Sequence, residues 1–135
     1  YNFKTIFTIP NKLNQIIKSG KDKIENKDMM GVVYKIDCKN CDSCYVGQTK
    51  RRLDTRIKEH KADINKDPDF HSVVSKHRLD CNHEFDWINT QVLHRKEHIK
   101  KREIAEMYFI KRHDKTINTQ NDTENLPSVY DNILR

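Results

Sequence analysis

The chain has 135 residues, enough for one domain with a short lead-in but not for two full cores, and only 35% of them are hydrophobic against 34% charged. So thin a core gains from an additional staple, of which a structural metal is one kind. The net charge of +6 favours polyanionic partners, and no run approaches the ~20 apolar residues of a membrane span or the hydrophobic stretch of a secretory signal, which points to an intracellular, reducing setting.

Residues 1–30 are basic and polar and are expected to form a lead-in. It carries a weak helical stripe (Leu13, Ile16, Ile17) closed by Ser19 and Gly20, then a mixed-charge connector over 21–30. Because Tyr1 rather than Met comes first, the chain is expected to be a fragment of something longer. A domain is expected over 31–122, followed by a polar tail over 123–135. Residues 31–37 are β-branched and compact and read as a strand, with 45–49 as its partner and the cysteine-rich 38–44 as the turn between them. Over 50–65, Leu53, Ile57, His60 or Lys61, and Ile64 recur at helical spacing. Pro68 stops that helix, and 71–79 reads as a second, short one. A third strand is predicted over 85–93, with Trp87 packed under the sheet, and a longer helix over 95–113 with a buried stripe of Ile104, Met107, Tyr108 and Ile110. The order predicts a small α+β fold, a three-stranded antiparallel sheet flanked by helices.

Basic residues cluster at Lys50, Arg51 and Arg52, at Lys100, Lys101 and Arg102, and at Lys111 and Arg112. Such clusters draw in phosphate backbones, and the first is the expected DNA-binding patch. Four cysteines without a secretory signal argue against a disulfide framework, and the Cys-x-x-Cys spacing of Cys38 and Cys41 points to metal. Tyr34 and Tyr45 lie on paired strands and reach one region of the sheet, while Arg56 and His60, four apart, share a helix face. Glu106 lies on the last helix and Asn118 just beyond it. Phosphodiester hydrolysis needs a nucleophile activator, a cation to polarise phosphate and a positive group for the developing charge; this set offers a candidate for each.

The succession Val32-Val33-Tyr34, Tyr45-Val46-Gly47, Arg56, His60, Glu106, Asn118 resembles the GIY-YIG nuclease superfamily. Gly31 stands one position earlier than that name implies, and Val46 replaces the isoleucine. The Cys-x-x-Cys inside the hairpin, Gly47-Gln48-Thr49, His77 with His83, and the Asn118–Asp122 stretch are similar to the endonuclease domain of Penelope-like retroelements. That likeness covers roughly 9–130. It implies a nuclear module, fused to a reverse transcriptase, that nicks chromosomal DNA so that a free 3′-hydroxyl primes copying of element RNA.

The resemblance also implies roles. Glu106, rather than Glu103 one turn earlier, would hold a single Mg²⁺ or Mn²⁺. Tyr34 would activate water, directly or through a relay, with its pKa lowered by nearby cations, and Tyr45 would position water or phosphate. Arg56 would stabilise charge on the phosphate, His60 would share proton transfer or hold Tyr34, and Asn118 would tie down the active-site loop or last helix. Cys38, Cys41, His77 and His83 would bind a structural zinc, with Cys44 or Cys81 as possible replacements for a histidine. The alternatives are a zinc-stabilised nucleic-acid-binding module without catalysis and a small secreted disulfide protein.

Overall fold

A computed structural model describes residues 24–130, and the expected stripe Leu13, Ile16, Ile17 lies outside them. The sheet has the order β2-β1-β3, with β1 (Val32–Asp37) between β2 (Cys44–Thr49) and β3 (Gln91–Arg95), antiparallel to both. A central strand is covered on both faces, and this explains why β1 reads as a run of β-branched residues instead of a strict alternation. Val32, Tyr34 and Ile36 pack with Leu53, Ile57, Val74 and Phe85 on one face; Val33 and Val46 pack with Ile110, Ala105 and Phe109 on the other. Helices α1 (Leu53–Ala62) and α2 (Val73–Cys81) supply the first layer and α3 (Ile99–Arg112) the second. The predicted α+β class is the observed one.

Boundaries differ for local reasons. Helix α1 begins three residues later than predicted and tightens into a 3₁₀ turn at Asp63–Asn65, and His60 rather than Lys61 is buried. Helix α2 starts after Ser72, whose hydroxyl accepts the Ser75 N–H, and stops where Asn82 takes a left-handed φ of 53°. The third strand does not begin at Phe85. That residue forms an isolated bridge to Cys38, while Asp86 folds the chain by accepting from the Asn89 backbone and side chain at 3.3 and 2.7 Å. Trp87 sits at the rim of the core against Phe85, flanked by Lys61 and Arg78, with its indole N–H donating to Glu84 at 2.8 Å. On α3 the buried face runs through Arg102 and Ile110 with Ala105 and Phe109 packed beside it; Ile104, Met107 and Tyr108 are only partly covered.

Gly31 opens β1 with φ of 64°, a backbone state that L side chains rarely adopt, and its N–H donates to the Lys50 carbonyl at 3.3 Å. Between Val33 and Tyr34 the β1–β3 register slips, leaving Leu93 as the extra residue on β3. This bulge stands beside Tyr34. Among the described residues no helix is long and apolar enough to cross a membrane.

Candidate active site and candidate metal centre

The hairpin register brings the two phenols together. Tyr34 pairs with Gly47 and Ile36 with Tyr45, so both tyrosines stand on the α1 face, diagonal to one another, with ring centroids 6.3 Å apart. Gly47 lies beneath them: a Cβ there would sit 2.7 Å from Tyr45 Cε1, 2.9 Å from the Tyr34 hydroxyl and 2.9 Å from the Tyr45 hydroxyl. Only a hydrogen leaves room for both rings.

One turn of α1 supplies the other half. His60 is 2% exposed, and its Nε2 lies 2.7 Å from the Tyr34 hydroxyl. Its ring meets Tyr45 at a centroid distance of 5.2 Å. Burial, then the nearby Arg56 cation, push the His60 pKa down to about 4, so the imidazole is neutral at pH 7, with Nε2 within hydrogen-bond distance of the phenol. Arg56, one turn earlier, lies beside both phenols and donates to Glu59 at 3.2 Å, while its Nε is buried without a partner. The sequence reading requires cations to lower the Tyr34 pKa; instead, burial outweighs Arg56 and raises it, and Tyr45 is raised in the same way. Both groups are therefore neutral phenols, and Tyr34 is not a phenolate base in this state.

Glu106 comes from α3, packed on the other face, yet its charge is felt by Tyr34, Tyr45 and Arg56. Its carboxyl is pushed up to about 7, chiefly by burial and further by Asp122 and Glu103, with Gln48 and Arg56 opposing. A half-buried carboxylate whose charge is left this poorly compensated suits a divalent cation, which would supply the missing countercharge. Asn118 closes the region from behind. Its Oδ1 accepts the Val46 N–H at 3.0 Å and its Nδ2 donates to the Val46 carbonyl at 2.8 Å, so one side chain mimics a neighbouring strand on the free edge of β2. The backbone before it does the same, with Ile117 N–H donating to the Cys44 carbonyl at 2.9 Å.

Cys38, Cys41, His77 and His83 form a second cluster, their ligand atoms all within 4.8 Å of one another. Cys38 Sγ lies 3.7 Å from His83 Nδ1, Cys41 Sγ 3.6 Å from His77 Nε2, and the two imidazole nitrogens 3.3 Å apart. Tetrahedral zinc, with Zn–S of about 2.3 Å and Zn–N of about 2.05 Å, sets S···N edges near ~3.5 Å and an N···N edge near ~3.3 Å. The cluster therefore could hold a zinc ion, and it joins the β1–β2 turn to α2 and the loop after it. Cys41, hydrogen-bonded first by Ser43, is held at a pKa of about 6, whereas burial raises Cys38. Of the two alternative thiols, Cys44 is buried on β2 with its backbone paired to Lys115 and Thr116, and Cys81 is exposed at the end of α2; neither joins the cluster.

The basic patch after β2 is more compensated than its composition implies. Arg51 pairs with Glu59 at 2.6 Å and Arg52 with Asp28, leaving Lys50 exposed beside them. Arg102, counted by sequence with a basic cluster, is 2% exposed. Its Nη1 donates to the carbonyls of Lys96 and Glu97 at 3.0 and 3.1 Å, and its Nε to Gln48 Oε1 at 2.6 Å. Neither Gln48 nor Arg102 carries a role in the sequence reading. The signal was present in the phase of α3, because Arg102, Glu106 and Ile110 are spaced four apart and share one stripe. A third such group is Asp63, 7% exposed: burial opposes its charge, but Lys66, Ser72 and Ser75 hold its pKa well below the usual carboxylate range.

One family model, described as the GIY-YIG catalytic domain, matches residues 30–121, more than half of the chain. No curated protein and no solved structure matches it.

Proposed function

Because the chain belongs to the GIY-YIG catalytic-domain family, a family of nucleases, we propose that it is a metal-dependent DNA endonuclease that nicks one strand at a time. The observation that carries this reading is the meeting of Tyr34, Tyr45, Arg56 and His60 on one sheet face, within electrostatic reach of Glu106. A Mg²⁺ or Mn²⁺ ion held by Glu106 would polarise the scissile phosphate. Every other part falls to the chain's own groups. Tyr34 takes a proton from the attacking water as its own passes to neutral His60 across the 2.7 Å contact, which removes the need for a free phenolate. Tyr45 orients the phosphate or the water, and Arg56, with its unpartnered Nε, stabilises the charge that builds on the phosphate. Asn118 keeps β2, and with it Tyr45 and Gly47, in register.

Zinc at Cys38, Cys41, His77 and His83 would be structural, since four protein ligands leave no open position. Lys50, with Arg51 and Arg52, contributes to DNA binding. The likeness of the zinc ligands and of the Gly47–Thr49 and Asn118–Asp122 stretches to Penelope-like retroelements supports a narrower role. In it the module is fused to a reverse transcriptase, works in the nucleus and nicks target DNA to prime reverse transcription. Supercoiled-plasmid nicking with Mg²⁺ or Mn²⁺ tests the activity. Wild type should convert plasmid to open circles, and Glu106→Ala and Tyr34→Phe should each slow this by ~10³-fold. Equal rates for all three would leave a zinc-stabilised DNA-binding module as the reading.

A further inference from the structure

Arg102 is a buried cation that none of the roles above uses. A guanidinium at 2% exposure is costly unless it is hydrogen-bonded, and three contacts through Nε and Nη1 compensate it: the Lys96 and Glu97 carbonyls and Gln48 Oε1. The first two fasten the turn between β3 and α3. The third has a directional consequence. Arginine has no acceptor, so its Nε can meet only the oxygen of the Gln48 amide, and this fixes the amide's orientation without ambiguity. The amide nitrogen of Gln48 is then turned away from Arg102. One helical turn along the same stripe of α3, four residues on, stands Glu106.

From this geometry we infer that Gln48, locked by the buried Arg102, is a positioning residue that presents an amide N–H to the Glu106 carboxylate and fixes its rotamer for the metal. The inference rests on Glu106 being the ligand of the nuclease site proposed above. Gln48 also follows Gly47 directly on β2 and pairs with Val33 on β1, so the phenols and the carboxylate are referenced to two adjacent residues of one strand. Tyr45 hangs from its α1 face, where the Tyr34 ring also packs over Gly47, the carboxylate is steered from its α3 face, and a shift of β2 would disturb both.

Outer-sphere partners of this kind typically change metal affinity by ~10–100-fold. The test is Mn²⁺ binding to the zinc-loaded protein without DNA, followed by the electron paramagnetic resonance of free Mn²⁺, beside nicking kinetics and thermal melting. Gln48→Met keeps the shape and removes both polar contacts. It should weaken Mn²⁺ binding by ~10-fold and lower kcat, with KM for DNA unchanged. Gln48→Asn, one methylene short, should lose Mn²⁺ affinity in the same direction and serves if Gln48→Met melts too low to assay. Wild-type Mn²⁺ affinity in either folded variant overturns the positioning role and leaves the nuclease reading standing. If Glu106→Ala binds Mn²⁺ as wild type does and wild type does not nick, the nuclease reading itself falls.

Discussion

Substituting Gly47 by alanine probes the site without removing any functional group. The added methyl would lie 2.7 Å from Tyr45 Cε1 and 2.9 Å from each phenolic oxygen, against the ~3.4–4 Å of ordinary contact, so the rings must retreat by roughly 0.5–1 Å in total. Neither ring moves freely: Tyr34 is fully buried and tied to His60 at 2.7 Å, and Tyr45 packs against that same imidazole. Overpacking of this kind costs about 1–3 kcal/mol, partly offset by the ~0.4–1 kcal/mol that a Gly to Ala change gains through the unfolded chain. The expected net destabilisation is about 1–2 kcal/mol, a fall in melting temperature of roughly 4–14 °C for a domain this small. Displacing a reacting group by ~1 Å costs on the order of 10²-fold in rate, and far less in binding. Single-turnover nicking of supercoiled plasmid, with DNA affinity measured separately and melting by circular dichroism, separates the two effects. Gly31→Ala is the control: its φ of 64° and the Lys96 carbonyl 3.1 Å from the would-be Cβ should lower stability, yet it lies away from the phenols, so the folded fraction should nick normally. A Gly47→Ala protein that melts and nicks like wild type would refute the placement of the two rings in the chemistry.

Four further outcomes follow. The His60 pKa of about 4 lies below the ~6.5 of an unfolded histidine, so the unfolded chain binds the extra proton between those values. That contribution to stability is complete above pH ~6.5 and is lost as pH falls towards 4, by up to about 3 kcal/mol; unfolding free energies from urea titration of wild type and His60→Gln should converge by that amount across this range. Glu106 is the opposite case, a carboxyl raised from 4.5 to about 7, so in metal-free protein its contribution to stability is full below pH 4.5 and is lost as pH rises to about 7. Glu106→Gln should therefore abolish nicking while raising metal-free stability at pH 8 by about 1–2 kcal/mol, read from chemical denaturation. Metal analysis should find one zinc per chain, lost in Cys41→Ser and retained in Cys81→Ser, and chelation should lower the melting temperature of wild type but not of Cys41→Ser. Asn118→Ala removes two bonds to Val46 and should cost about 2 kcal/mol in a thermal melt, with a further loss of kcat as β2 loosens.

Much of the architecture is legible in the chain because it depends on local chemistry. The β-branched run that became β1, the helical spacing of Leu53, Ile57 and His60, and the break at Pro68 each follow from backbone preference and burial over a few residues. The Cys-x-x-Cys spacing likewise marks a turn that could hold a metal ion. Where the reading went astray, a polar contact outside the hydrophobic pattern decided. The stretch over 85–93 reads as one strand, but Asp86 and Asn89 turn the chain there and postpone β3 to Gln91. Arg102 looks like surface charge in a basic run, and only the packing of α3 on the sheet shows it buried.

The sequence by itself determined which groups are present and in what order: two phenols on a hairpin, a guanidinium and an imidazole one helical turn apart, a carboxylate on the last helix, and two thiols poised for metal. Tertiary structure alone decided their states and partners. Whether Tyr34 is a phenolate or a neutral donor, whether His77 and His83 or the spare thiols complete the metal cluster, and whether Glu106 is steered by Gln48 all depend on burial and on distances between residues far apart in the chain. Desolvation and hydrogen-bond direction are properties of the packed site, and no local pattern encodes them.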